Sequence, residues 1–170
     1  MVGEAIGFFL RNLPAFLFAA ALLLAVLRGQ GDAAERLLAW TLLLPIGVTG
    51  LWAGISHVFF PAMAAAHIGW QTSPFQFEVG MADFAIGATA CIAFWQDLSF
   101  KAAAVCGASV FLLGDAIGHV REMLVAGNFA PGNAGLPFYM DVICPTLAII
   151  LVIIAKRREK RGLPAFGSSK

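Results

Sequence analysis

The sequence predicts an all-α integral membrane protein, a bundle of five transmembrane helices. Of its 170 residues, 60% are hydrophobic and only 12% are charged, and the mean hydropathy is +0.84. Soluble domains usually carry about 25% charged residues. A core of this size cannot bury such an excess of apolar side chains, so lipid is expected to cover much of the helix surface.

Five apolar runs, each long enough to cross a bilayer as a helix, support this prediction. Arg11, Asn12 and Pro14 interrupt the first run, so its opening residues are expected partly at the membrane interface, with Arg11 reaching toward the headgroups. Pro45 is expected to kink the second run, because proline lacks the N–H that the helix needs. The predicted spans are residues 5–27, 37–60, 77–95, 102–125 and 138–155.

The segments between the spans are short and polar, or rich in glycine and proline. Residues 28–36 form a predicted loop. Residues 61–76 contain two prolines and a glycine, which predict a re-entrant or interfacial segment. Residues 127–137 are expected either as a lid over the outer face or as a tight connecting turn. Residues 156–170 form a basic tail, which we expect to be solvated.

The distribution of lysine and arginine sets the expected orientation. With the C-terminus in the cytoplasm, nine basic residues lie inside and two, Arg11 and Arg121, lie outside. The sequence therefore predicts an outer N-terminus and an inner C-terminus. The inside set is Arg28, Arg36, Lys101, Lys156, Arg157, Arg158, Lys160, Arg161 and Lys170.

The fourth predicted span carries three ionisable residues on one helix face. Asp115, His119 and Glu122 are spaced i, i+4 and i+7, which brings side chains together when successive residues turn by about 100°. Ionisable groups inside a span are costly, and they mark a functional site by default. This stretch is therefore the expected centre of the protein's chemistry.

Further polar residues fall near the outer ends of the other spans, whereas the inner halves of the spans are almost wholly apolar. Glu78 and Asp83 are about 140° apart on an ideal helix, so both cannot easily face one point. Glu78 is alternatively a favourable acid at a helix N-terminus. The predicted polar pocket comprises His57, Glu78, Asp83, Asp115, His119, Glu122, Tyr139 and Asp141.

Three interpretations of this pocket stay open, and none assigns a catalytic residue. The first is a divalent transition metal, since mixed nitrogen and oxygen ligands suit zinc, iron or manganese, while a haem fits the carboxylates poorly. The second is a proton relay in a proton-coupled transporter or channel. The third is a structural network of Arg121, Glu122 and Asp141 that holds the helices together. The candidate metal ligands are His57, His119, Asp115 and Glu122, and the two histidines are expected within reach of a common ligand.

The remaining composition limits the partners. A net charge of +1, without a basic patch, gives no reason to expect nucleic acid. The three cysteines all lie inside apolar runs, as buried small hydrophobic residues do. Glycines in the second and fourth spans are expected to let helices approach closely, either within the bundle or in a homo-oligomer or larger membrane complex. The lipid bilayer is the first expected partner.

Four motifs carry a resemblance to a known family: HVFFP from His57, SPFQFEVG from Ser73, GDAIGH from Gly114 and APGNAG from Ala130. They resemble an uncharacterised family of small bacterial polytopic membrane proteins, classed as a domain of unknown function. The resemblance covers roughly residues 37–150. It implies that the motif residues belong together and that the protein lies in a bacterial inner membrane, and it implies no activity.

Overall fold

A computed structural model describes residues 2–28 and 31–161. Over these residues the chain is helical and contains no strand, which confirms the all-α prediction. The helices are α1 (Val2–Arg11), α2 (Leu13–Leu27), α3 (Ala33–Thr41), α4 (Thr49–Phe59), α5 (Pro61–Ile68), α6 (Phe75–Ala93), α7 (Leu98–Ala126), α8 (Pro131–Ala134) and α9 (Leu136–Glu159), and a π-helical segment, Leu42–Val48, joins α3 to α4.

The first predicted span is two helices rather than one. α1 and α2 meet at Asn12 with a bend of 73°. The Asn12 side chain donates to the Phe8 carbonyl at 2.8 Å, and Pro14 opens α2, where a missing N–H costs nothing. The ring of Phe16 on α2 stacks on that of Phe9 on α1, with centroids 4.8 Å apart. α1 therefore lies across the end of α2, and its expected position at the membrane interface stays a prediction.

The second predicted span is continuous from Ala33 to Phe59. Asp32 caps its first helix, α3, and the Asp32 carboxylate accepts from the backbone N–H groups of Ala34 and Glu35, both at 3.0 Å. Pro45 falls inside the π-helical segment. The wider turn accommodates the residue that has no N–H to donate, so the expected disturbance at Pro45 takes the form of a change of helix type.

α6, which corresponds to the third predicted span, packs antiparallel on the second span through glycines. A Cβ added at Gly87 would lie 2.6 Å from a backbone nitrogen of the span, and its neighbours there include Gly47 and Gly50. Gly54, further along the span, meets the carbonyl of Gly80, nearer the start of α6. The pairs run in opposite directions along the two helices, and the missing side chains let the backbones touch.

α7 and α9 form the second antiparallel pair, and together with the other helices they enclose an apolar core. The π segment and α3 also contact α9, so the two pairs make one bundle. α9 extends through Glu159, beyond the predicted end of the fifth span, and residues 162–170 of the expected tail lie outside the described residues. The core includes Leu38, Leu42, Ile46, Ala90, Ala93, Val105, Ala108, Cys144, Ala148 and Leu151.

Among the described residues, three helical segments are long and apolar enough to cross a membrane: Ala33–Phe59, Leu98–Ala126 and Pro131–Glu159. The bent pair of α1 and α2 brings the number to four if it forms one span. α6 is not in this set, and its first half carries the polar residues Gln76, Glu78 and Asp83. Many large hydrophobic side chains are exposed on the helix surfaces, as a membrane protein requires. The five-span count and the orientation stay predictions.

Charged residues meet at one end of the bundle, called here the basic end: residues 31–36, 96–101 and 156–161. Lys101, only 2% exposed, lies 3.5 Å from the Glu35 carboxylate and also donates to the Gln96 carbonyl. Arg158 Nε lies 2.5 Å from Asp32 Oδ2. Helix packing therefore pairs and buries, at this end, charges that the sequence places in the segments between the predicted spans.

Candidate functional site

The opposite end, called here the loop end, contains the end of α4, α5, the start of α6, the end of α7, α8 and the start of α9. Two connections close over it. The Asn128 side chain donates to the Ile68 carbonyl at 2.9 Å, and Gly69 ends α5 with a φ of +82°, a conformation suited to glycine. A Cβ at Gly132 would lie 2.8 Å from the His67 ring. The segments 61–76 and 127–137 thus pack on each other and cover this end.

His119 lies beneath that cover, on α7, and is 9% exposed. Its Nδ1 is 2.7 Å from the side-chain oxygen of Asn133, which is completely buried in α8. Its Nε2 is 3.7 Å from Asp141 Oδ2 on α9. The rings of Trp70 and Phe138 flank the imidazole, with centroids 6.1 Å and 6.4 Å away. One imidazole is therefore held between an amide, a carboxylate and two aromatic rings.

Three carboxylates from three helices lie in the same neighbourhood. Asp83 on α6 is buried, and Asp115 on α7 and Asp141 on α9 are half-buried. Asp115 interacts electrostatically with both Asp83 and Asp141, and Asp83 also interacts with Asp141. Four of the eight predicted pocket residues, these three and His119, are thus brought together by α6, α7 and α9.

His57 belongs to a separate arrangement. The Gln76 side-chain nitrogen donates to the Pro61 carbonyl at 2.8 Å and lies 3.2 Å from His57 Nδ1. The Cβ of His57 also packs against Gly80. The two histidines of the predicted pocket therefore have different partners, and the ligand shared by His57 and His119 stays a prediction.

The other predicted pocket residues lie toward the surface. Glu78 is exposed, in keeping with its angular separation from Asp83. Glu122 lies 3.8 Å from Arg121, which is 73% exposed, and Tyr139 is 52% exposed. The expected network that joined Arg121 and Glu122 to Asp141 is thus divided, since the carboxylate on α9 pairs with an imidazole instead.

The described residues do not support the metal interpretation. Among residues 2–28 and 31–161, no three His, Cys, Asp or Glu side chains are grouped so that they could hold a metal ion. Of the candidate ligands, His119 and Asp115 belong to the same group around Asp141, whereas His57 lies beside Gln76 and Glu122 beside Arg121. The side chain of Gln76 contacts His57, and that of Asn133 contacts His119. Sequence periodicity alone does not predict either contact.

His67, at the end of α5, is the titratable group of the covering segments. Burial lowers its pKa below the usual 6.5, and the positive charge of Arg11 lowers it further. Its ring is therefore held toward the neutral form, in which it packs against Gly132. The interaction with Arg11 also places the bend between α1 and α2 near the loop end.

Two residues that contact the histidines at this end, Asn133 and Gln76, were not predicted from the sequence to do so. Asn133 was expected only within a lid or turn, and Gln76 was not singled out at all. Both are neutral amides, so charge and hydropathy patterns do not mark them. The available signal was position, because Asn133 lies in the APGNAG motif and Gln76 in SPFQFEVG.

Comparison with known protein families identifies the family of this chain. Residues 11–161 match a family of unknown function, DUF6790, over a longer range than the resemblance expected from residues 37–150. Neither the curated proteins nor the solved structures gave a match. The matched range includes all of the helices that build the loop end. With nearly nine-tenths of its length matched, the chain belongs to the DUF6790 family of unknown function.

Proposed function

We propose that the protein crosses a bacterial cytoplasmic membrane five times, with the N-terminus outside and the C-terminus inside. α6 packs antiparallel on the preceding span, which supports counting α6 as a crossing and brings the number of crossings to five. The grouping of Arg36, Lys101 and Arg158 at the basic end supports the orientation, since basic residues favour the cytoplasmic side. The loop end then faces outward.

We propose that this protein binds and releases protons at the His119–Asp141 pair as part of proton-coupled transport. The observation that carries the proposal is the convergence of His119 with Asp83, Asp115 and Asp141 from three helices. Negative charges that share a weakly solvated space need an offsetting cation. A proton meets that need without a cage of ligands, and histidine exchanges protons near neutral pH.

The position of the pair suits exchange with the outer side. α7 rises about 1.5 Å per residue, so His119 lies about 10 Å along the helix from its end at Ala126. Below it, the apolar core that includes Leu42, Ala108 and Cys144 separates the pair from the basic end. A continuous pore is therefore not favoured, and transfer across the membrane requires a change in helix packing.

Proton binding is tested by infrared difference spectroscopy of the protein in lipid, recorded as the pH is stepped. We expect a carboxylic-acid signal that Asp141→Asn and His119→Gln both alter. Glu122→Gln, on the same helix but beside exposed Arg121, is the matched control and should leave that signal unchanged. A signal that no pocket variant alters refutes the proposal. A near-stoichiometric metal, lost in His119→Gln, would instead favour the cation interpretation of the same pocket.

Self-association is a second candidate property, supported by one observation. Gly107, Gly114 and Gly118 on α7 have nothing within 4 Å of an added Cβ, unlike the glycines that join α6 to its neighbour. A second copy of this chain could approach such a face closely. Cys106 is exposed beside it. Oxidative cross-linking in membranes through Cys106, reduced by Gly114→Leu, is the expected result, and its absence in the unaltered protein contradicts this assignment.

A further inference from the structure

The orientation of the Asn133 amide is determined by its surroundings. Its Nδ2 donates to two backbone carbonyls, that of His119 at 3.2 Å and that of Asn128 at 2.8 Å. Carbonyl oxygens only accept hydrogen bonds, so the nitrogen must occupy this side of the amide. The oxygen is thereby directed at the His119 ring.

This orientation fixes which ring nitrogen of His119 carries hydrogen. Asn133 Oδ1 lies 2.7 Å from His119 Nδ1, a short hydrogen-bond distance. An amide oxygen has no hydrogen to give, so Nδ1 must be the donor whether the ring is neutral or charged. The proton that the ring gains or loses is therefore the one on Nε2, the nitrogen that faces Asp141.

The groups around that nitrogen are those expected for proton exchange. Asp141 Oδ2 lies 3.7 Å away, so an approach of about 0.7 Å brings the two atoms to hydrogen-bonding distance. In the described part of the chain, Asp141 interacts electrostatically with Asp83 on α6, Asp115 on α7 and Cys144 on α9. The π segment and α8, which also contact this region, contribute no titratable side chain.

We propose that Asn133 is a positioning residue that holds His119 as its Nδ1–H tautomer, so that Nε2 exchanges the proton with Asp141. The inference rests on the proposed proton-binding function. In the exchange, the O–H bond of the Asp141 carboxylic acid breaks and an N–H bond forms at Nε2, leaving a carboxylate and an imidazolium. No electron is transferred, and the Asn133 amide is unchanged throughout.

The test is nitrogen NMR of protein labelled with ¹⁵N in histidine and embedded in lipid, with the His119 signals assigned through His119→Gln. At a pH where the ring is neutral, we expect Nδ1 to bear hydrogen and Nε2 to be bare. Asn133→Leu removes the acceptor and should shift the population toward the Nε2–H tautomer, which is the usual preference of a solvated histidine side chain. Asn133→Asp keeps an acceptor oxygen but loses both donors to the carbonyls, and should retain Nδ1–H.

A structural role alone would make the two variants alike, because both lose the hydrogen bonds to the backbone. The inference is overturned if the unaltered protein carries the Nε2–H tautomer, a result that does not depend on any variant folding. It is also overturned if Asn133→Leu leaves the tautomer unchanged. A tautomer as expected in a ring that never exchanges protons with Asp141 would refute the proposed function and the exchange step, while leaving the positioning of the ring by Asn133 intact.

Discussion

Replacing Gly87 with alanine tests the close approach of α6 to the second span. The added Cβ would lie 2.6 Å from the Leu51 backbone nitrogen and 2.9 Å from the Gly47 carbonyl oxygen. Ordinary contact begins near 3.4 Å, so the helices must separate locally by about 0.8 Å. All of the nearest atoms belong to backbone, and no side chain can rotate away to make room.

A separation of that size weakens contacts along the whole helix pair. A gap of about 0.5–1 Å removes roughly a quarter to a half of the dispersion attraction of the atoms concerned. Overpacking of this kind costs about 1–3 kcal/mol, which exceeds the gain of about 0.5–1 kcal/mol from replacing glycine with alanine in a helix. We therefore expect Gly87→Ala to lower the free energy of unfolding by about 1–2 kcal/mol.

The assay is unfolding in mixed detergent micelles with increasing dodecyl sulfate, followed by loss of helical circular dichroism. Gly107→Ala is the matched control, because its added Cβ meets nothing within 4 Å, and it should unfold at or above the midpoint of the unaltered protein. Equal midpoints for Gly87→Ala and Gly107→Ala would show that the backbones are not in contact, and the packing described for α6 would be wrong.

Three further predictions concern the two ends of the bundle. Lys101→Met removes the ammonium from its buried pair with Glu35 and should cost about 3–5 kcal/mol in the same unfolding assay. Asn128→Asp loses the donor to the Ile68 carbonyl, worth about 1 kcal/mol, and should speed amide hydrogen exchange in α5 about fivefold. The pKa of His67 is lowered mainly by burial, so the unfolded chain binds more protons below pH 6.5. The stability that its neutral ring provides is present above pH 6.5 and should be lost as the pH falls below 6.5 toward the lowered pKa of the folded protein, measured by hydrogen exchange.

Each of these has a control in the chain. Lys156→Met alters an exposed residue on α9 and should leave the unfolding midpoint unchanged, and an equal loss in both lysine variants would argue against a buried pair. Exchange in α7 far from Asn128 should not change in Asn128→Asp. His67→Gln should abolish the dependence on pH at the loop end, and an undiminished dependence would assign it to another group.

Much of the helical architecture follows from local sequence. Helices occur near every predicted span, because long apolar runs satisfy their backbone polar groups internally only as helices. The break in the first run follows from Asn12 and Pro14, which sequence marks directly. The change of helix type at Pro45 does not follow from the local sequence, since a missing N–H is compatible with several backbone conformations.

The candidate site divides in the same way. The spacing of Asp115 and His119 is a property of one helix, and periodicity alone predicts that they share a helix face. Periodicity also separated Glu78 from Asp83, of which the structure buries only the second. It could not supply Asn133, because a neutral amide in a glycine-rich connection carries neither charge nor period.

The sequence by itself determined the class of the protein and the helix that carries its central polar residues. It did so because apolar content and 3.6-residue periodicity are local properties. Only the tertiary structure decided that His119 meets Asn133 and Asp141, and that Lys101 and Glu35 are buried together, 66 residues apart. These contacts depend on which helix faces adjoin, and neighbouring faces are brought together by packing between residues far apart in the sequence, as where glycines let α6 and the second span touch.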